Sequence, residues 1–184
     1  MVYTTTEHKG ALAAAAAQEL AGLEKRGVMM AGNAFSPVVL VKGVLNEAER
    51  AGAELLSGAD GEALRSALSA IGWAPQDFCV LSAVDAEGAA LPVELFREAL
   101  EALDSEAVVL LDNAAAELMR EAYADGLAII EDFDTAMLMP GLVASVLGRR
   151  VLALGGFEAA LAAPAEKQRM WAYLKQLPPL GAPY

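Results

Sequence analysis

The stretch VVLVKG, Val38 to Gly43, opens with four consecutive apolar residues and stops at a lysine and a glycine. A strand wet on one face alternates apolar and polar residues. A continuous run is what a strand covered on both faces needs, and such strands belong to parallel sheets. Similar short runs return at Phe78–Val84, Ala107–Leu111, Leu127–Ile130 and Val151–Leu154, and each reads as a strand.

The intervals between these runs read as helices. An alanine-rich helix over Ala11–Arg26 is closed by Gly27, the usual residue just past a helix end. Asn46 is placed to cap a helix with Glu47 and Glu49 in its first turn. Glu62–Ile71 carries Ala63, Leu64, Ala67, Leu68 and Ile71 on one stripe, and Gly72 ends it. Pro92 opens a helix running to about Leu103. Asp112 leads into a helix capped by Asn113, Pro140 opens a short helix to Leu147, and a last helix spans Ala165–Leu177. AGNAFSP (31–37) reads as a loop and LPPLGAPY (177–184) as an irregular tail. Short apolar strands alternating with amphipathic helices imply an α/β fold, a parallel sheet covered on both faces, in one domain spanning 1–184.

Composition narrows function chiefly by exclusion. The single cysteine, Cys79, rules out an internal disulfide and any site built on several thiolates; it sits in an apolar run, where a buried inert thiol is expected. The single histidine, His8, lies near the start of the chain, so Ser–His and Cys–His mechanisms have no base. The chain lacks GxGxxG and GxxxxGK[ST] phosphate loops, and Gly155-Gly156 after the last strand reads as a tight turn. No run is long enough to span a membrane and the N-terminus lacks signal-peptide regions, so a cytoplasmic location is expected. With 25 acids against 13 basic residues, the net charge of −12 argues against nucleic-acid binding. The hydrophobic fraction of 56% and mean hydropathy of +0.39 raise the expectation of self-association or a protein partner.

Ligands of doubly wound folds bind at the C-terminal strand ends. The residues there include Asp85, Glu87, Asp112, Glu131, Asp132, Asp134 and Glu158, an acidic crest. Asp85 with Asp112 suits one magnesium ion in type and number, although acids solvated on loops are the favoured reading of both. Arg149-Arg150 is the only adjacent basic pair near the last strand and reads as a solvated strand entry.

Three stretches resemble the uracil-DNA glycosylase superfamily, closest to its iron–sulphur branch. SGADGEALRSALSAIGW, Ser57 to Trp73, is similar to a family segment of spacing GxxGxxLxxxLxxIG. VVLVKG, preceded by Gly32-Asn33, resembles the first strand and its glycine-rich loop. RRVLALGGFEAALAAPAEKQRMWAYLK, Arg149 to Lys175, resembles the closing strand, loop and last helix, with Pro164, Lys167, Trp171 and Leu174 in matching places. FCVLSAV and AVVLLDNAAAELM are similar to the second strand and to the third strand with its helix, in order.

This resemblance implies a three-layer α/β/α fold with a central, mostly parallel four-stranded sheet. It also implies an ancestral chemistry, base flipping followed by cleavage of the glycosidic bond with a positioned water. The residues for that chemistry are missing. The water-positioning acid or amide falls at Gly43, between Lys42 and Val44-Leu45-Asn46. The stacking aromatic falls at Leu56, the uracil-reading asparagine at Ser82 and the histidine at Gly156. One cysteine cannot hold the cluster, so no cofactor and no iron–sulphur cluster are expected.

The expected function is therefore a degenerate member acting through binding, to a protein partner or to itself. Two alternatives stay open. One is a small-ligand or metal-binding protein or unrelated enzyme using Lys42, Asn46, Ser82, Asp85, Asp112 and Asn113. The other is a divergent glycosylase with relocated groups, Glu47 being the acid nearest the first loop. Around these, the candidate pocket also includes Gly43, Leu56, Gly155 and Gly156.

Overall fold

The computed structural model describes residues 5–181. The chain runs α1 (Thr5–Lys25), β1 (Met30–Gly32), β2 (Val38–Lys42), α2 (Glu47–Arg50), α3 (Ala59–Ala70), β3 (Cys79–Ser82), α4 (Val93–Leu103) and β4 (Ala107–Leu110). It continues through α5 (Asn113–Ala122), α6 (Ala124–Leu127), α7 (Phe133–Ala136), β5 (Val143–Val146), β6 (Arg149–Ala153), α8 (Phe157–Ala160) and α9 (Pro164–Leu174). The α/β class expected from the sequence holds. The sheet is mixed and has six strands, in the order β1-β3-β2-β4-β6-β5, rather than four. Its four inner strands run parallel, and β1 and β5 add antiparallel edges.

The continuous apolar runs are explained by burial on both sides. Along β2, Val39 and Val41 join the core formed with α4 and α5, whereas Val38 and Leu40 face the core formed with α3 and α9. β4 divides in the same way, Val108 and Leu110 to one side, Ala107 and Val109 to the other. Helices therefore cover both faces, and no helix among the described residues is long and apolar enough to cross a membrane. His8 lies on an exposed turn of α1. Cys79 is buried in β3, and burial pushes its thiol up to about 11.

Four sequence readings are corrected. Leu127–Ile130 is not a strand: Leu127 ends α6 and the chain then turns, with the Leu127 and Ala128 amides donating to the Tyr123 and Ala124 carbonyls. A short apolar run carries no period that separates strand from helix. Pro140–Leu147 is not a helix but the turn and strand leading into a hairpin. Leu147 and Gly148 both have positive φ, +47° and +85°, the two-residue turn whose twist matches paired strands. Within AGNAFSP, Ala31 and Gly32 belong to edge strand β1, whose MAG sequence carries no strand signal. Finally, Arg149 and Arg150 are not a solvated pair.

Arg149 is buried and donates to both carboxylate oxygens of Glu101, at 2.7 and 3.1 Å, while the Tyr123 hydroxyl donates to the same carboxylate at 2.7 Å. Arg150 pairs with Glu106 and the Pro178 carbonyl. The Arg149 guanidinium holds the Glu101 carboxyl down at about 2, against an ordinary 4.5. Because the folded value is the lower one, this pair stabilises above the ordinary carboxylate range, and its contribution is lost as pH falls from about 4.5 towards 2. Glu101→Gln is expected to cost about 1–3 kcal/mol at neutral pH, less than a fully buried pair because Glu101 is half-exposed. Denaturant unfolding across pH checks this; a variant with the wild-type acid slope would refute it.

Candidate functional site

The chain leaves β2, passes through α2 and α3 to β3 on one side, then returns through α4 to β4 on the other. The order of the parallel strands reverses between β2 and β4, and a crevice opens at such a point beyond the C-terminal strand ends. A cavity of about 400 Å³ occupies it, lined by Lys42, Val44, Asp60, Leu111, Asp112, Gly156, Phe157, Glu158 and Ala159.

Lys42 closes β2 and is only 2% exposed. Its Nζ donates to Asp60 Oδ2 at 2.7 Å and to Glu49 Oε1 at 2.9 Å, and Glu158 Oε2 stands 3.4 Å away. Burial alone lowers an ammonium pKa; here the hydrogen bonds from Lys42 to Asp60 and Glu49 outweigh it and hold the group above its ordinary value. A lysine kept protonated in this way is no nucleophile or general base.

The two buried acids are held in turn by the backbone. Asn46 caps α2 by accepting the Glu49 amide, and Glu49 reaches back to the Asn46 amide at 2.9 Å, a reciprocal capping box. Glu49 also accepts the Leu56 amide at 2.9 Å. Leu56 has φ +54°, and a Cβ on Gly61 would run into its carbonyl, so glycine is required at 61. Asp60, in the first turn of α3, accepts the Gly61 amide at 2.9 Å.

Asp112 is committed too. It caps α5 through the Ala115 amide at 2.9 Å, and its other oxygen accepts the Gly43 and Val44 amides at 2.9 and 3.0 Å. One carboxylate thus ties the end of β2 to the end of β4. A Cβ on Gly43 would collide with the Ala115 amide nitrogen and stand 2.5 Å from Asp112 Oδ1. Gly156 differs: a Cβ there would meet open space, but its φ of +151° is one that side-chain-bearing residues rarely adopt.

Of the residues singled out in the sequence, Lys42, Asp112, Gly156 and Glu158 line the cavity, and Gly43 stands in the chain between two lining residues, Lys42 and Val44. Asn46 acts as the α2 cap, and Leu56 is fully buried in the core on the α3 side. Ser82 is buried, its hydroxyl donating to the Val84 carbonyl at 2.7 Å. Asp85 closes an exposed turn by accepting the Glu87 and Ala89 amides. Asn113 is the exposed first residue of α5, the cap being Asp112. Gly155, with φ +80°, packs against Pro140. Glu47 is exposed. Reasoning from sequence passed over Glu49 and Asp60 as partners of Lys42. The Asn46-x-x-Glu49 spacing signalled the first, while nothing local signalled the second. Among the described residues, no group of three His, Cys, Asp or Glu side chains is placed to hold a metal ion.

The chain matches no family model and no curated protein.

Lys42→Met leaves Glu49 and Asp60 buried without a cation and is expected to cost about 3–5 kcal/mol. The triple variant Lys42→Met, Glu49→Gln, Asp60→Asn removes the charges together and is expected to recover much of that loss. Unfolding titrations decide: if the triple variant is no more stable than the single one, the ion cluster is not what holds this corner.

Proposed function

We propose that this chain is a glycosylase-like α/β scaffold that has given up base excision and acts through binding. The observation that carries the reading is the packing at Gly43. The position to which the resemblance assigns the water-positioning group has no room for any side chain, because Asp112 and the first turn of α5 fill the space. Backbone conformation disfavours a histidine at Gly156 as the fold stands. Lys42 cannot replace either group, since its charge is already neutralised by Glu49 and Asp60.

The electrostatics support the same reading. A base-flipping enzyme grips phosphates with Lys and Arg around its pocket. Among the described residues, Lys42 is the only cation lining this cavity, against Asp60, Asp112 and Glu158. A second reading, a small-ligand site, is favoured by the cavity itself. Its walls, Val44, Leu111, Phe157 and Ala159, are apolar, which suits an uncharged or cationic ligand with an apolar body.

Incubation with uracil-containing single- and double-stranded oligonucleotides, at high protein concentration, tests the proposal. The expected result is no free uracil and no salt-sensitive binding. Gly43→Glu, which returns an acid to the first loop, is expected to lower the unfolding temperature and restore no excision. Uracil release by the wild type, abolished by Asp112→Asn or Glu158→Gln, would overturn the proposal and identify relocated groups.

A further inference from the structure

Large apolar side chains are not spread evenly over the surface. Of eleven that are well exposed among the described residues, six lie within residues 129–147: Ile129, Phe133, Met137, Met139, Leu142 and Leu147. Phe133 is 73% and Ile129 78% exposed, values at which neither serves the core. α7, which carries Phe133, buries none of its residues. It is held by its cap instead: Asp132 Oδ2 accepts the Thr135 amide at 2.8 Å and the Thr135 hydroxyl at 2.6 Å. Phe133 and Met137 are four residues apart and share one side of that turn. Leu142 and Leu147 bracket edge strand β5.

The charges carried by this stretch of chain itself have one sign. From Glu121 to Gly148 the chain holds five acids, Glu121, Asp125, Glu131, Asp132 and Asp134, and no lysine or arginine. All five are exposed. Arg97 reaches in to Asp125, and Arg120, just before the segment, donates to the Met137 carbonyl at 3.1 Å. Exposed apolar groups rimmed by charge mark interaction sites, and rim charges select the partner's sign. A second copy would bring Glu131, Asp132 and Asp134 against acids of its own, on chains that each carry −12.

We propose that the surface presented by residues 129–147, α7 with the turns on either side of β5, is the docking surface of this protein and that its partner is a basic amphipathic protein segment. Ile129 and Phe133 are the apolar anchors, and the surrounding carboxylates receive lysines or arginines that flank the partner's apolar residues. The inference deepens the binding reading above, naming the surface and the partner's chemistry. Its test is separate, because excision concerns the cleft and the measurement below concerns this face alone.

Three labelled synthetic peptides serve as probes in fluorescence anisotropy. The first has an apolar face flanked by lysines. The second keeps the apolar face with glutamates for lysines, and the third keeps the lysines with serines for the apolar residues. The first alone is expected to bind, with affinity falling as salt rises. Ile129→Ser with Phe133→Ser should weaken it roughly tenfold or more, while Leu12→Ser, an exposed apolar position on α1, leaves it unchanged. Both anchors are exposed, so circular dichroism and melting of the double variant should match wild type. Slowed amide hydrogen exchange over 129–147 on adding the first peptide would locate the contact. Absent binding, equal binding of the serine peptide, or indifference to the Ile129/Phe133 change would each overturn the proposal. So would a concentration-dependent dimer in sedimentation that the same variant abolishes, since the face would then belong to a second copy.

Discussion

A lysine ammonium at the end of a buried strand has to be matched by charge, and around Lys42 that requirement organises the loops on one side of the molecule. An isolated buried cation would cost several kcal/mol, so α2 and α3 must each deliver a carboxylate to the same point. Glu49 arrives because Asn46 starts a helix three residues earlier. Asp60 arrives because the backbone reverses through Leu56 in a left-handed conformation, which in turn requires glycine at 61. The Asp112 carboxylate does for the other side what the ion cluster does for this one. It collects the Gly43, Val44 and Ala115 amides and fixes β2 against β4 where the strand order reverses.

The consequence for chemistry is that, apart from Glu158, the charged side chains lining the crevice are already engaged. A catalytic group needs a free lone pair or proton facing the reactant. Here Lys42 and Asp60 saturate each other, Asp112 is taken up by backbone amides, and the half-exposed Glu158 is the acid that retains reach into the cavity. What a ligand would meet is a mostly apolar wall. The crevice keeps the position that an α/β fold gives a binding site while its interactions serve to hold the fold together, a separation expected when core and site are independent demands.

Particular residues explain how far the sequence could be read. The runs at Val38, Phe78, Ala107 and Val151 identified the inner strands because burial on both faces leaves an unbroken apolar signature. The edge strands carry no such mark. β1 is three residues of MAG, and β5 alternates in burial behind a proline that reads as a helix start. The apolar run at Leu127–Ile130 misled for the opposite reason, because part of it faces water. The cap at Asp112 rather than Asn113 is a one-residue ambiguity that hydrogen bonding decides and composition does not. At the site, Lys42 and Asp112 were recognisable as charged groups at strand ends. Their partners were not, because Asp60 meets Lys42 across 18 residues and Gly43 meets Asp112 across 69, distances over which spacing says nothing.

A high apolar content and a strong negative charge pull against each other in one chain, and the fold assigns each its place. Most of the apolar excess fills the cores on either side of the sheet, where it stabilises without touching solvent. Of the large apolar side chains that reach the surface among the described residues, six of eleven lie within 129–147, around α7 and on either side of β5, and exposed carboxylates accompany them there. Like charge around an apolar patch raises the cost of bringing two copies together while leaving the patch accessible to a group of opposite sign. Phe133, on a turn held by its Asp132 cap with no buried residue, contributes little to folding, and the acids beside it oppose the approach of a second face of the same charge.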